Sequence, residues 1–314
     1  MLYTSTRGDK DAFTAPRTLL SDISPDGGLF VPFRLPVFSQ EEIRAFGQLS
    51  FGESVAKILN TFFSCRLTGW DVDFAVGREP VKLFQMNHRL IVSELWHNAG
   101  GDYSYLVQKL YDRIRLPDSR ENPTEWARIA IRIAGLFGIF SCMLRDRYDA
   151  SGKTVDLAVS ADDFALPMAA WYCKRMGLPI GMIACGCSND SSLWDLLNHG
   201  EYSASAVAPE LWMPYERLLR ETLGTHASVE YSRRCSDGKT FAIPEPALTH
   251  LSSGMFAAVV GTGRVNSLIS TVFRSSGYRL SKECAIAYGA LQDYRTGNNV
   301  SRNSLILADT NPAI

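Results

Sequence analysis

The sequence carries no charge excess of either sign: 32 basic residues against 33 acidic ones leave a formal net charge of -1. Such a chain has no polyelectrolyte reason to bind nucleic acid or an anionic membrane, so the expected ligand is a small molecule or another protein. An export signal is also missing. Residues 1–10 are polar and carry Arg7, Asp9 and Lys10 where a signal needs an apolar run of about 7–15 residues. The most apolar stretch, 129–144, is interrupted by Arg132 and falls short of the roughly 18 uncharged residues of a membrane span, which predicts a buried helix. No internal repeat or low-complexity tract is visible, and a cytoplasmic location is expected.

Cysteine is just as uninformative as a framework. Seven residues (Cys65, Cys142, Cys173, Cys185, Cys187, Cys235 and Cys284) form an odd, scattered set, which argues for reduced thiols rather than disulfides. Cys185 and Cys187 have no second cysteine pair or nearby histidine to complete a four-ligand zinc site, so no metal is expected and both read as buried thiols at a strand end. What is present is ordinary globular composition. With 314 residues, 46% hydrophobic and 21% charged, the chain is long enough for one large or two ordinary domains.

Residues 1–80 read as a small mixed domain. Pro25-Asp26-Gly27-Gly28 is a turn in which glycine takes positive φ, and the apolar strand 29–31 follows it. Ser39 precedes Glu41, Glu42 and a helical pattern, with the acids where the helix dipole favours them; a second helix covers 51–63. From residue 81 strands and helices alternate, which implies a parallel sheet with helices packed on it. A strand at 90–96 ends in the polar loop 97–102, and a helix at 103–114 is followed by a break at 117–123. A long helix over 125–148 has Asn122 or Thr124 as its cap. A βαβ unit then runs through a strand at 155–160, a helix at 164–176 closed by Gly177, and a strand at 180–184. Further helices are expected at 211–223, 266–275 and 283–294, and a last strand at 305–308.

Several strings, in order, resemble threonine synthases of the fold type II (tryptophan synthase β-like) class of pyridoxal phosphate enzymes. They are Tyr3-Thr4-Ser5-Thr6-Arg7-Gly8, Pro25-Asp26-Gly27-Gly28-Leu29-Phe30-Val31-Pro32, Trp126-Ala127-Arg128-Ile129 and Lys174-Arg175-Met176-Gly177-Leu178-Pro179-Ile180. The ending is similar too, from Ser276-Gly277-Tyr278 through Ala287-Tyr288-Gly289-Ala290-Leu291. The second string is the most specific. The resemblance implies an α/β fold of the threonine synthase type. Its N-terminal domain (1–80) is kept, and its core (81–314) is truncated by a deletion near 111–122, where the family carries a mobile small subdomain with its Ser-Gly-Asp-Thr-Gly substrate loop.

The resemblance also implies a pyridoxal phosphate site that this chain has lost. The family's lysine lies in a His-Gly-Pro-Thr-x-x-Phe-Lys-Asp string. Aligned from His97 and Asn98, that string places Ser104 at the lysine position, where no primary amine can hold the cofactor as an imine. Lys109 is rotated by about 140° and raised by about 7.5 Å from Ser104 on a helix, and Lys82 precedes the strand and is expected near its opposite end. The family's Gly-Asn-Phe-Gly phosphate loop becomes Asp162-Asp163-Phe164-Ala165, so two carboxylates stand where backbone amides would cradle a dianion. Each like-charge contact at about 4 Å would cost roughly 4 kcal/mol at an effective dielectric near 20. As aspartates at a helix start they serve instead as caps. The hydroxyl pair facing the pyridine nitrogen becomes Ala308-Asp309.

His97, Asn98, Ser104, Asp162, Asp163 and Asp309 thus read as a degenerate cofactor site with no catalytic residue and no bound cofactor. The expected function is that of a catalytically dead homologue kept as a binding or regulatory protein, which pairs with an active relative or senses a small metabolite. One alternative is active conversion of phosphohomoserine to threonine with pyridoxal phosphate, alone or with a partner chain. A second is a different acid/base chemistry using His97, Asp102, Tyr103, Asp162 and Asp163 if they converge. Loss of the clamping subdomain would uncover apolar surface, so a homodimer or an active threonine synthase-like partner is expected.

Overall fold

The computed structural model describes residues 1–8, 10–95, 103–146, 148, 154–188, 192–204, 212–308 and 312. The chain opens with three short strands, β1 (Leu2–Ser5), β2 (Phe13–Thr14) and β3 (Phe30–Pro32), which form an antiparallel sheet in the order β2-β1-β3. The turn before β3 needs its glycines, since Gly27 has φ 80° and the Cα of Gly28 lies too close to the Ser5 and Thr6 side chains to carry a methyl group. Helix α1 (Ala15–Leu20) lies between β2 and β3. Helices α2 (Gln40–Phe46), α3 (Phe51–Phe63) and α4 (Gly69–Val76) each start at a reciprocal capping box, formed by Ser39 with Glu42, Ser50 with Glu53 and Thr68 with Asp71.

The main sheet is built from β4 (Lys82–Asn87), β5 (Leu90–Glu94), β6 (Val155–Ser160), β7 (Ile180–Cys187), β10 (Met255–Val259) and β11 (Ser304–Ala308), in the order β10-β7-β6-β11-β5-β4. Five strands are parallel, and β4 runs antiparallel along β5 at one edge. The sequence pattern had offered only parallel strands in this part of the chain. Residues 82–87 escape it because β4 is an edge strand, mostly exposed, and lacks the apolar run of a buried strand. The turn at His88–Arg89 makes β4 and β5 a hairpin, with Lys82 opposite Glu94.

Helices cover both faces of the sheet. Leu90 and Val92 of β5 and Ile306 of β11 point to α11 (Thr262–Ser276) and α12 (Lys282–Asn298). Ile91, Leu157, Val159, Leu305 and Leu307 alternate to the other face, where α5 (Tyr103–Ile114), α6 (Glu125–Arg145) and α7 (Ala165–Arg175) pack. That second core is continuous with the first 80 residues, because Tyr3, Phe46, Phe62 and Val72 belong to it. Its centre is α6. By length and mean hydropathy (1.7) this helix could cross a membrane, yet 89% of its most apolar window is buried inside the fold, so it is the core helix of this domain. Trp126 is fully enclosed, with edge contacts to Tyr3, Phe62 and Tyr172. The expected helix at 211–223 is longer and broken: α9 (Met213–Ser236) is interrupted at Gly224, whose φ of 77° only glycine adopts without strain. The chain also forms α8 (Ser192–His199), a small β8 (Glu201–Tyr202) and β9 (Phe241–Ala242) pair, and α10 (Glu245–Ser252).

Candidate functional site

In an open parallel sheet the crevice for ligands lies beyond the carboxyl ends of the strands. Here that rim is formed by Glu94 of β5, Ala308 of β11, Ser160 of β6 and Cys187 of β7. Several residues singled out in the sequence fall just beyond it. His97, Asn98, Asp102 and Asp309 lie outside the described residues. Ser104 sits in the first turn of α5, exposed. Tyr103 beside it is buried. Lys109, further along α5, is exposed with its ammonium 5.4 Å from the centroid of the Tyr105 ring, as a surface lysine would be.

Lys82 is placed differently from the sequence expectation. It was assigned to the far end of β5 because it precedes that strand, but the hairpin brings it back to the carboxyl end, opposite Glu94. A primary amine therefore stands on the exposed edge strand at the rim of the crevice. The signal missed was a second extended segment ahead of an Asn-His turn.

The Asp162-Asp163 pair divides into two tasks. Asp162 is exposed, and its Oδ1 accepts hydrogen bonds from the Ser188 amide (3.1 Å) and hydroxyl (3.0 Å), which ties the β6–α7 connection to the end of β7. Only Asp163 acts on the helix: its Oδ1 accepts the amide hydrogen of Ala165 at the start of α7 (3.1 Å). Its other oxygen accepts hydrogen bonds from Arg128 (3.2 Å) and Arg132 (2.5 Å). The sequence reading put two uncompensated carboxylates here. The structure brings two guanidinium groups to one of them, from positions i and i+4 on a single face of α6. Arg132 is almost wholly buried, and its Nε and Nη1 have no hydrogen-bond partner among the described residues.

These arginines belong to a larger set of charged groups at the start of α6, of which Arg132, Asp22, Glu216 and Arg217 are buried. Thr124 caps the helix, accepting the Ala127 amide hydrogen (3.3 Å) and donating to Thr18 O (2.7 Å). The Glu125 amide donates to Asp22 (2.5 Å), which also pairs with Arg120 (3.3 Å). From α9, Glu216 accepts the Thr6 hydroxyl and lies 3.5 Å from Arg7, so the N-terminal strand is tied to α9 by charge. Arg217, fully buried, donates to Phe30 O (3.4 Å), while both its terminal nitrogens lack a partner among the described residues. Thus Arg128, Arg132, Ser188, Glu216 and Arg217 shape this region although composition and motif spacing did not single them out. The one available signal was the arginine pair on the polar stripe of an otherwise apolar helix.

Burial pushes the Glu125 carboxyl above its usual range, against the pull of Arg217 and Arg128; the nearby Asp163 adds to the rise. A raised native pKa means the folded state holds this proton more tightly than the unfolded chain. Its contribution to stability is therefore fully present below about pH 4.5 and is lost as pH rises through the native value. Glu125→Gln is expected to raise the thermal midpoint at pH 7 and to leave it unchanged near pH 4. A midpoint lowered at pH 7 would show that attraction by the arginines outweighs desolvation.

Among the described residues, no group of three or more His, Cys, Asp or Glu is placed to hold a metal ion. Six of the seven cysteines are buried, and none is paired in a disulfide.

Residues 2–74 match the family described as Threonine synthase N terminus. The chain is 36% identical to threonine synthase of Pseudomonas aeruginosa over 124 residues, covering 36% of this chain and 26% of that protein. It is 32% identical to mouse (Mus musculus) threonine synthase-like 2 over 108 residues, covering 32% and 22% respectively. Against human (Homo sapiens) threonine synthase-like 1 the identity is 22% over 181 residues, covering 54% and 24%. The matched segments thus span about a quarter of the length of these relatives. Among solved structures, the pyridoxal phosphate-bound threonine synthase of Brucella melitensis superposes with a TM-score of 0.84 at 20% identity, over 100% of this chain and 89% of that one. Yeast threonine synthase gives 0.80 at 17% identity, over 99% and 87%. At these identities the superpositions establish the threonine synthase fold, and residues 2–74 carry the N-terminal segment of the threonine synthase family.

Proposed function

We propose that this chain is a threonine synthase family member that has given up pyridoxal phosphate binding and threonine synthase catalysis and acts in the cytoplasm as a binding or regulatory protein on the inherited scaffold. The observation that carries this reading is the state of the β6–α7 connection. A phosphate cradle needs backbone amides at a helix start that are free to meet an anion. Here the Ala165 amide is already taken by Asp163, whose other oxygen occupies Arg128 and Arg132. Asp163 behaves as a built-in anion where the cofactor's phosphate would have to sit. Ser104 in place of the lysine removes the covalent attachment as well, and Ala308 at the end of β11 offers no hydroxyl. These residues do not fit the cofactor.

The short connection 115–124 between α5 and α6 is consistent with a deleted substrate subdomain in the same chain. A homodimer, or pairing with an active relative, would cover the surface so uncovered. Acid/base chemistry by Asp162 and Asp163 is disfavoured, because the first is engaged by Ser188 and the second by two arginines.

One observation favours the retained-activity reading, in which the chain still makes threonine: Lys82 lies at the rim, opposite Glu94. The two readings separate in one experiment. Purified protein mixed with pyridoxal phosphate is expected to show no reducible visible imine band, and borohydride followed by peptide mass spectrometry to find no stoichiometric modification at a single lysine. A band with modification confined to Lys82 would overturn the proposal and make Lys82 the cofactor lysine.

A further inference from the structure

The rim at the amino ends of the parallel strands, opposite the crevice, gathers cations. Arg89 immediately precedes β5, and its carbonyl accepts the Ser304 amide hydrogen (2.8 Å), which sets it beside the start of β11. Arg302 lies just before β11, with its Nε 3.5 Å from Oδ2 of Asp156 on β6 and its Nη2 donating to the Tyr294 hydroxyl (3.0 Å). Arg295, near the end of α12, donates through Nη2 to Arg302 O (2.9 Å) and to the Ser304 hydroxyl (2.7 Å). Lys174, in the last turn of α7, donates through Nζ to Gly181 O at the start of β7. A side chain at Gly181 would collide with the Asp156 carboxylate and crowd Arg302 Nη1, so Lys174 and Arg302 flank one residue. Because the strands run β7-β6-β11-β5, with neighbours about 4.8 Å apart, the cations form a row about 14 Å long.

This row is short of acid. Among the described residues its one ion pair is Arg302 with Asp156, so four cations against one carboxylate leave an excess of three positive charges. Asp156 is buried and already accepts the Met182 amide hydrogen through Oδ1 (2.7 Å). Burial pushes the Lys174 ammonium and the Arg295 guanidinium below their usual values; Arg302 adds to the first shift and Arg89 to the second, while Asp156 opposes both. Arg295 Nε is shut off from solvent without a hydrogen-bond partner among the described residues. The row is nevertheless open to a ligand. Arg89 is exposed, its side chain makes no hydrogen bond or ion pair among the described residues, and the Arg302 side chain is 41% exposed. Cations held this close repel one another, and an anion arriving from solvent relieves the repulsion.

From this arrangement we infer that the amino-end rim binds a chain of linked phosphate groups, as in tripolyphosphate or the tail of a nucleoside triphosphate, laid along Lys174, Arg302 and Arg89. A single phosphate or carboxylate meets part of the row and leaves the rest unneutralised, whereas a condensed phosphate chain carries negative charge along its length. Arginine forks also match phosphate oxygens two at a time. The inference is independent of the fate of the cofactor, because none of these residues stands at a cofactor position and the rim is at the other end of the strands.

The test is calorimetric titration of the full chain with tripolyphosphate at about 50 mM salt, where screening is weak. Saturable one-to-one binding tighter than about 1 mM is expected, with orthophosphate and a hexaglutamate peptide at least about tenfold weaker. R89Q alters an exposed side chain and should fold normally; it is expected to weaken binding about fivefold and R302Q about tenfold, while K109Q on α5 leaves it unchanged. Adenosine triphosphate in the same titration separates the sources: binding tighter than the bare chain assigns a nucleotide, and equal or weaker binding a free polyphosphate. No saturable binding, orthophosphate or hexaglutamate binding as tightly as tripolyphosphate, or full affinity in R89Q would overturn the assignment.

Discussion

Truncating Trp126 to alanine is expected to cost about 3–5 kcal/mol, the usual price of emptying a fully buried aromatic site that cannot collapse. The indole is 0% exposed, packs at right angles on Phe62 (centroids 5.5 Å) and Tyr172 (5.8 Å), and donates through Nε1 to the Tyr3 hydroxyl (3.2 Å). Tyr3 in turn donates to Phe62 O (2.9 Å). One side chain thus joins the N-terminal strand, α3, α6 and α7. Against a total stability of roughly 5–15 kcal/mol the loss is severe. It would be read from the urea midpoint at unchanged slope, and a loss below about 1 kcal/mol would contradict the packing described. Trp126→Phe should recover much of the packing but not the hydrogen bond to Tyr3.

Asp163→Asn is expected to have the next largest effect and to change ligand behaviour as well. The substitution keeps the shape but removes the charge that balances Arg128 and Arg132. Arg132 is then a buried cation without an anion. Breaking a fully buried pair costs about 3–5 kcal/mol, and because Asp163 is 42% exposed a loss of about 2 kcal/mol is the reasonable expectation. Inorganic phosphate should then stabilise the variant and leave the parent protein unaffected, since only in the variant does Arg132 lose its paired carboxylate while Arg128 keeps Glu125 alone, at 3.8 Å. If phosphate raises the midpoint of both proteins equally, Asp163 does not occupy an anion site and the cofactor-loss reading loses its main support.

Much of the architecture was legible because it follows from local pattern. The capping residue Ser39, the helices that became α3 and α5, and the βαβ unit around α7 lie where apolar spacing and turn chemistry put them. The fold-level resemblance rested on turn strings such as Pro25-Asp26-Gly27-Gly28, whose glycines are fixed by backbone geometry rather than by activity. Features hidden from the sequence are set by contacts between distant segments. β4 is polar because it is an edge, and its pairing with β5 decides where Lys82 lies. Asp163 looked like an uncompensated charge because its partners are 31 and 35 residues earlier, and only the packing of α6 beside α7 brings them together. The Glu216–Arg7 contact joins residues 209 apart, and no periodicity reports such a pair.

The position of β11 sets the order in which this protein can be completed during synthesis. This strand, the last among the described residues, is inserted in the middle of the sheet, between β6 and β5, so that a nascent chain emerged only as far as residue 303 holds two unjoined strips, β4-β5 and β10-β7-β6. Their inner edges offer unpaired amides and carbonyls until residues 304–308 leave the ribosome. Truncation at residue 303 would therefore release a split, edge-exposed product suited to chaperone capture or aggregation.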